Sequence, residues 1–379
     1  MVETYSKEVV KEFALQRLRL TPETLGKTLN DVPPIVAAVG GLQYGGHLIE
    51  LLNRFSNFRT EWFDYWYENF RLIEGHVLRS ALRIVNVNDY PYFFKATRSV
   101  ARRRTTYQKC PLSLSDNHLN AFNFIDEYGP FTPSEFKKVY GVKNPKIREI
   151  AQRLLLDLYN YGKVARMGRK NGKPLYHAVG KLPYQFDPLQ TSEKEAKKWL
   201  FQKCLHIYGP FTVNDVAHWV GWNINETREI LNCLLDKERV VSVKVEDDPS
   251  IHYICREDLG FLDSIEGNLY DSFFVRVLFN DDALLMGYYR KLQERFGYLW
   301  KYPQFNEGIV WRAAILCGRE LVGEAVVDMA KKSPLFKIRR LLLRKRFATS
   351  HILSKIEDEF IRHANFQDKK FKSATPTIV

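Results

Sequence analysis

The residues best equipped for chemistry lie in one short stretch, Gly40-Gly41-Leu42-Gln43-Tyr44-Gly45-Gly46, followed by His47 and Glu50. Gln43 brings a neutral amide that donates and accepts, Tyr44 a phenol, His47 an imidazole and Glu50 a carboxylate. Four glycines around one glutamine imply unusual backbone dihedrals or the close approach of another chain. A helix starting after Gly46 sets His47 and Glu50 one turn apart. All three neighbours of Gln43 also suit packing, a lone histidine at a helix start most of all. The ring-dense run Trp62-Phe63-Asp64-Tyr65-Trp66-Tyr67 suits a core better than a stacking platform. The five cysteines form no CxxC pair and combine with no histidine at zinc-site spacing, so we expect reduced thiols, no metal and no cofactor.

The elements that position this stretch follow from an internal repeat. Tyr128-Gly129-Pro130-Phe131-Thr132 recurs as Tyr208-Gly209-Pro210-Phe211-Thr212, and Ile147-Arg148-Glu149-Ile150 is answered by Thr227-Arg228-Glu229-Ile230. Each copy reads as a helix stopped by Gly-Pro, a threonine N-cap, a short second helix ending at Gly141 or Gly221, a third helix and a two-stranded hairpin. Helix, turn, helix and hairpin in that order is the winged-helix pattern. The fold expected is therefore mainly α with small β-hairpins (α+β): tandem winged-helix modules plus a C-terminal α+β segment. The units are an N-terminal module at 1–110, winged helices at 111–190 and 191–265, and a C-terminal domain at 266–379. Pro33-Pro34 can open a helix in the first unit, and 336–362 reads as helical with basic residues on a solvated face.

A formal charge of +13 and a pI near 9.3 favour a polyanionic partner. Basic residues gather at Arg102, Arg103 and Arg104, at Lys143, Lys146, Arg148 and Arg153 on the expected third helix of the first repeat, and at its hairpin tip, Arg169-Lys170-Asn171-Gly172-Lys173. Such a hairpin can track phosphates or enter a groove. The second hairpin carries Glu246-Asp247-Asp248 instead, which phosphates repel, and is expected to face solvent or another domain. With no apolar h-region at the N-terminus and no apolar stretch of about 18 residues, a membrane span is not expected. The chain reads as a monomeric, cytoplasmic, nucleoid-associated protein that binds double-stranded DNA. RNA is disfavoured because no aromatic RNA-binding strand motif appears.

Several stretches together resemble the AlkZ/YcaQ-like winged-helix DNA glycosylases. They are the Gly-Leu-Gln turn, the block from Arg71 to Val85 with the Asp89-Tyr90-Pro91 that follows it, Val275 to Leu285, and Ile315 to Glu324. The resemblance runs from about residue 10 to residue 325. It implies three winged helices on duplex DNA and hydrolysis of the N-glycosidic bond of an alkylated or crosslinked base. In that family a Gln-x-Gln or Gln-x-Asp pair positions the attacking water. Gln43 matches the first position, whereas Gly45 stands at the second and Arg83 replaces a family histidine. Tyr44, His47 and Glu50 are then the candidates to replace the missing partner. The alternative is a non-catalytic DNA-binding regulator or damage sensor, in which Gln43 has no chemical task.

Overall fold

The computed structural model describes residues 2–104, 113–141, 145–182, 188, 191–270, 272–288, 291–299, 310–328, 333–373 and 375–378. Its architecture is α+β, with helices packed around three mixed or antiparallel sheets.

The repeat folds twice in the same way. The first copy runs through helices Asp116–Tyr128, Pro133–Tyr140 and Pro145–Tyr161 into the hairpin Val164–Lys170 and Lys173–Ala178. The second runs through Glu193–Tyr208, Val213–Val220 and Ile224–Asp236 into Val240–Val245 and Asp248–Cys255. Thr132 and Thr212 cap the second helix of each copy through reciprocal bonds with Glu135 and Asp215, satisfying backbone N–H groups that a helix start leaves open. The phenylalanine of each Gly-Pro-Phe then bridges its own hairpin, Phe131 to Tyr176 and Phe211 to Tyr253. The pentapeptide thus recurs because it ties the helices to the hairpin.

The two hairpins have different neighbours. The first extends a five-stranded sheet whose other strands are Leu42–Gln43, Leu82–Asn86 and Leu72–His76, joined where Glu74 pairs with Arg166. The second pairs in parallel with Thr4–Tyr5, and the helix Lys7–Arg17 follows that strand onto the helix Leu259–Gly267. Tyr5, Val9, Val10 and Phe13 share one core with Val243, Val245, Ile254 and Leu262, so the first residues of the chain sit with the second repeat. At the acidic tip Glu246 and Asp247 are exposed, with Asp247 3.5 Å from Lys7, while Asp248 turns inward, 3.2 Å from His252 of its own strand and 3.5 Å from Lys291.

At the C-terminal end the strands Lys370–Lys372, Leu335–Leu343, Glu320–Asp328, Val310–Cys317 and Val275–Phe279 form one sheet, with Thr377–Ile378 beside Leu335–Leu343. Residues 335–343 are therefore a strand, and the helix begins only at Ser350. Phe336 and Ile338 alternate inward, a bulge opposite Val326 and Val327 shifts the register, and Leu341 and Leu343 alternate inward again. That one-residue slip disguises period two as helical spacing. The basic side chains of this stretch are paired, Arg339 with Asp328 at 2.6 Å and Arg344 with Glu320 at 2.6 Å.

Candidate functional site

The glycine-rich stretch folds as a strand of two residues between tight turns. Gly40, Gly41 and Gly45 adopt φ of +69°, +91° and +104°, which side chains disfavour. Gly46 has an ordinary φ of −102° but is glycine for another reason, since a Cβ there would stand 3.2 Å from Oδ2 of Asp281. The first glycines turn the chain, and the last admits a carboxylate from the C-terminal domain.

Gln43 pairs in antiparallel register with Arg83, and directly opposed residues project from the same face. Arg83 is buried and donates from Nη1 to the Gly41 carbonyl at 2.8 Å, bracing the turn. The half-buried Gln43 has an amide oxygen that is buried and accepts no hydrogen bond among the described residues. Such an atom costs roughly 1–3 kcal/mol unless water or a ligand completes it.

Behind this pair the helix His47–Leu52 carries a buried charge network. Arg54, fully buried, donates to Asp282 through Nη1 at 2.7 Å and Nη2 at 3.0 Å, and its guanidinium lies 3.7 Å from Glu50. Glu50 also accepts the backbone N–H of Ala283 at 3.0 Å. Burial pushes the Glu50 carboxyl upward, Arg54 opposes that shift, and Asp282 adds to it. These bonds fix the helix to the segment that presents Asp281. Asn53 reinforces the seam by donating to the Val277 carbonyl at 2.8 Å while meeting His363 at 3.2 Å.

Asp281 itself is half-buried and makes no hydrogen bond or ion pair among the described residues. Burial raises its carboxyl above the ordinary aspartate value, and the charge of Arg83 partly offsets this.

Tyr44 and His47 belong to an aromatic and arginine cluster beside the turn. Their rings are near parallel with centroids 6.0 Å apart, and His47 also meets Phe63 at 4.8 Å. Nδ1 of His47 accepts the Gly45 N–H at 3.3 Å. Burial, with Arg169 nearby, lowers the imidazole to about 4, so it is neutral at physiological pH. Arg166 and Arg169 lie over the Tyr44 ring at 5.4 and 5.3 Å, a cation–π arrangement, and both pair with Glu74, at 2.5 and 3.0 Å. His47 therefore holds the turn, and Arg169 is drawn inward to Tyr44 and Glu74.

Lys170 and Lys173 stay at the surface, 2.7 Å from Glu135 and 3.3 Å from the Ser134 hydroxyl respectively. Exposed pairs of this kind contribute about 0–1 kcal/mol and leave both lysines available to phosphates. Arg102, Arg103 and Arg104 end the helix Tyr90–Arg104, and Lys146 and Arg148 open the helix Pro145–Tyr161; their side chains, and all of Lys143, lie outside the described residues.

The structure thus pairs Gln43 with Arg83, whose charge acts on both Glu50 and Asp281, and stacks Tyr44 on His47 beside the turn. Asp281, Arg166 and Glu74 were not singled out in the sequence. The run Asn280-Asp281-Asp282 was a signal for the first of them, since acids at a strand-to-helix junction either cap the helix or project beyond it. Asp282 caps, accepting the Leu284 N–H, which leaves Asp281 to project.

Residues 36–366 match the profile of the family described as DNA glycosylase AlkZ-like, and the chain belongs to that family. Among solved structures the Streptomyces sahachiroi DNA glycosylase AlkZ is similar, with a TM-score of 0.70 at 14% identity, covering 99% of this chain and 100% of that one. At that identity the likeness is one of fold. No curated protein matches the chain. Among the described residues no helix is long and apolar enough to cross a membrane.

Proposed function

We propose that the chain is a DNA glycosylase that binds duplex DNA and hydrolyses the N-glycosidic bond of an alkylated or crosslinked base, with Gln43 holding the attacking water. The observation that carries this reading is the buried, unpartnered amide oxygen of Gln43, set opposite Arg83 within a fully folded glycine turn. An amide oxygen in that state accepts one O–H of a water and leaves the oxygen lone pairs free to attack. A base made cationic by alkylation departs neutral, so the leaving group needs no general acid and a neutral glutamine meets much of the demand. The two repeats, with their winged-helix order, and the exposed Lys170 and Lys173 supply the duplex-binding side of the proposal.

The competing reading, a non-catalytic DNA-binding protein, draws on Gly45, which has no side chain, and on Arg83, whose bond to Gly41 is a bracing one. Incubating alkylated duplex DNA with the protein and with Gln43→Ala separates them. The glycosylase reading expects free base and abasic sites from the wild type and a loss of about 100-fold in the variant at equal DNA affinity. Tight binding with no base release supports the binding-only reading.

A further inference from the structure

The water-positioning pair is incomplete in its own segment, because Gly45 occupies the position where a second polar side chain would stand. We propose that Asp281, delivered from the strand-to-helix junction after Val275–Phe279, supplies that second group and accepts the proton of the attacking water. This rests on the glycosylase reading above and names the residue that completes its site.

Three features support the assignment. The Asp281 carboxylate lies against Gly46, three residues along from Gln43, where an added Cβ would stand 3.2 Å from Oδ2 and make a tight contact. Gly46 in turn donates its N–H to the Gln43 carbonyl at 3.2 Å, so the turn that presents Gln43 and the surface that receives Asp281 are one piece of backbone. The carboxylate has no hydrogen-bond or ion-pair partner among the described residues, although the acid next to it in sequence accepts three hydrogen bonds, two from Arg54 and one from the Leu284 N–H. Arg83, whose charge acts on Asp281, leaves its Nε unpaired, and Gln43 opposite Arg83 leaves its Oε1 unpaired. A buried polar atom without a partner is costly unless water or another molecule completes it.

Glu50 is less suited to the task. It is held by the Ala283 N–H and by Arg54, and at 3% exposure it sits behind the turn. Asp281 is half-buried, and desolvation raises its proton affinity, which suits a group that must accept a proton. The charge that acts on it is Arg83 from the strand Leu82–Asn86, while Asp282 beside it in sequence is held by Arg54 and coupled to Glu50.

In the assigned step the water oxygen bonds to C1′ of the sugar as the bond from C1′ to the base nitrogen breaks. The electron pair of that bond leaves with the base, which loses its positive charge, and the water proton passes to a carboxylate oxygen of Asp281. No oxidant or further co-reactant is needed.

The test is single-turnover base release from N-alkylated duplex DNA by the full chain and by Asp281→Asn, followed from acid to neutral pH. Release is expected to fall about 100-fold or more with duplex affinity within twofold. The wild type should lose rate in acid with a midpoint above the ordinary aspartate value, a limb absent from Asp281→Asn and restored in part by Asp281→Glu. An unchanged rate in Asp281→Asn, or a lower rate with the acid limb intact, overturns the assignment while leaving the glycosylase reading standing. A wild-type protein that binds but releases no base removes both. If Asp281→Asn does not fold, Asp281→Ala carries the same test: an unchanged rate, or a lower rate with the acid limb intact, overturns the assignment.

Discussion

Replacing Asp282 with alanine tests whether the buried network holds the two halves of the site together. Arg54 has 0% exposure and donates two hydrogen bonds to Asp282, at 2.7 and 3.0 Å. Its other partners are the carbonyls of Leu18 and Glu50 and, at 3.7 Å, the Glu50 carboxylate. Removing one member of a buried pair costs about 3–5 kcal/mol because the remaining charge is left desolvated. Loss of the Leu284 cap adds about 1 kcal/mol, whereas Glu50 compensates part of the charge on Arg54. A net loss of about 4 kcal/mol is expected, read from urea unfolding at constant pH. The double variant Arg54→Met with Asp282→Leu removes both charges and leaves Glu50, already pushed toward its neutral form by burial, as a protonated acid. It should be more stable than Asp282→Ala, since an apolar pair of similar volume is often as stable as the ions it replaces. A loss below about 1 kcal/mol in Asp282→Ala, or a double variant worse than the single one, refutes the account of this seam.

Two further variants probe the same region. His363 is fully buried, and burial with Arg362 and Arg276 nearby lowers its imidazole to about 3. Because the unfolded chain takes up this proton and the folded chain does not, stability is unaffected above the ordinary histidine value and falls as pH drops below it. Between pH 6.5 and 4 this amounts to roughly 3 kcal/mol at about 1.36 kcal/mol per pH unit, and His363→Gln should flatten that decline in urea unfolding. A decline of equal slope in the variant contradicts the assignment. Gly45→Ala places a side chain at φ +104° with nothing within 4 Å of its Cβ, so only backbone strain opposes it. We expect a loss of about 1–2 kcal/mol from strain alone, and a stability equal to the wild type would show that the turn relaxes.

The repeat was legible because its turn chemistry is local: Gly-Pro stops a helix, and Thr132 or Thr212 caps the next one a few residues on. Gln43 and the helix after Gly46 were legible for the same reason. What escaped was set by contacts between distant segments. Nothing near Tyr5 or Phe13 announces that they pack on the second repeat's hairpin, and the strand at 335–343 is hidden by a bulge that only its partner strand defines. Arg169 looked like a free cation at a hairpin tip, yet Glu74 and Tyr44 draw it inward from another module. Asp281 was visible as a residue but not as part of the site, because its neighbour Gly46 comes from the other end of the chain.

The most direct test of the central claim is the release of free base from alkylated duplex DNA, measured for the wild type and for Gln43→Ala under conditions where both bind. Release by the wild type that falls about 100-fold in Gln43→Ala is the predicted result. Equal release by both proteins, or tight binding without release by either, contradicts it.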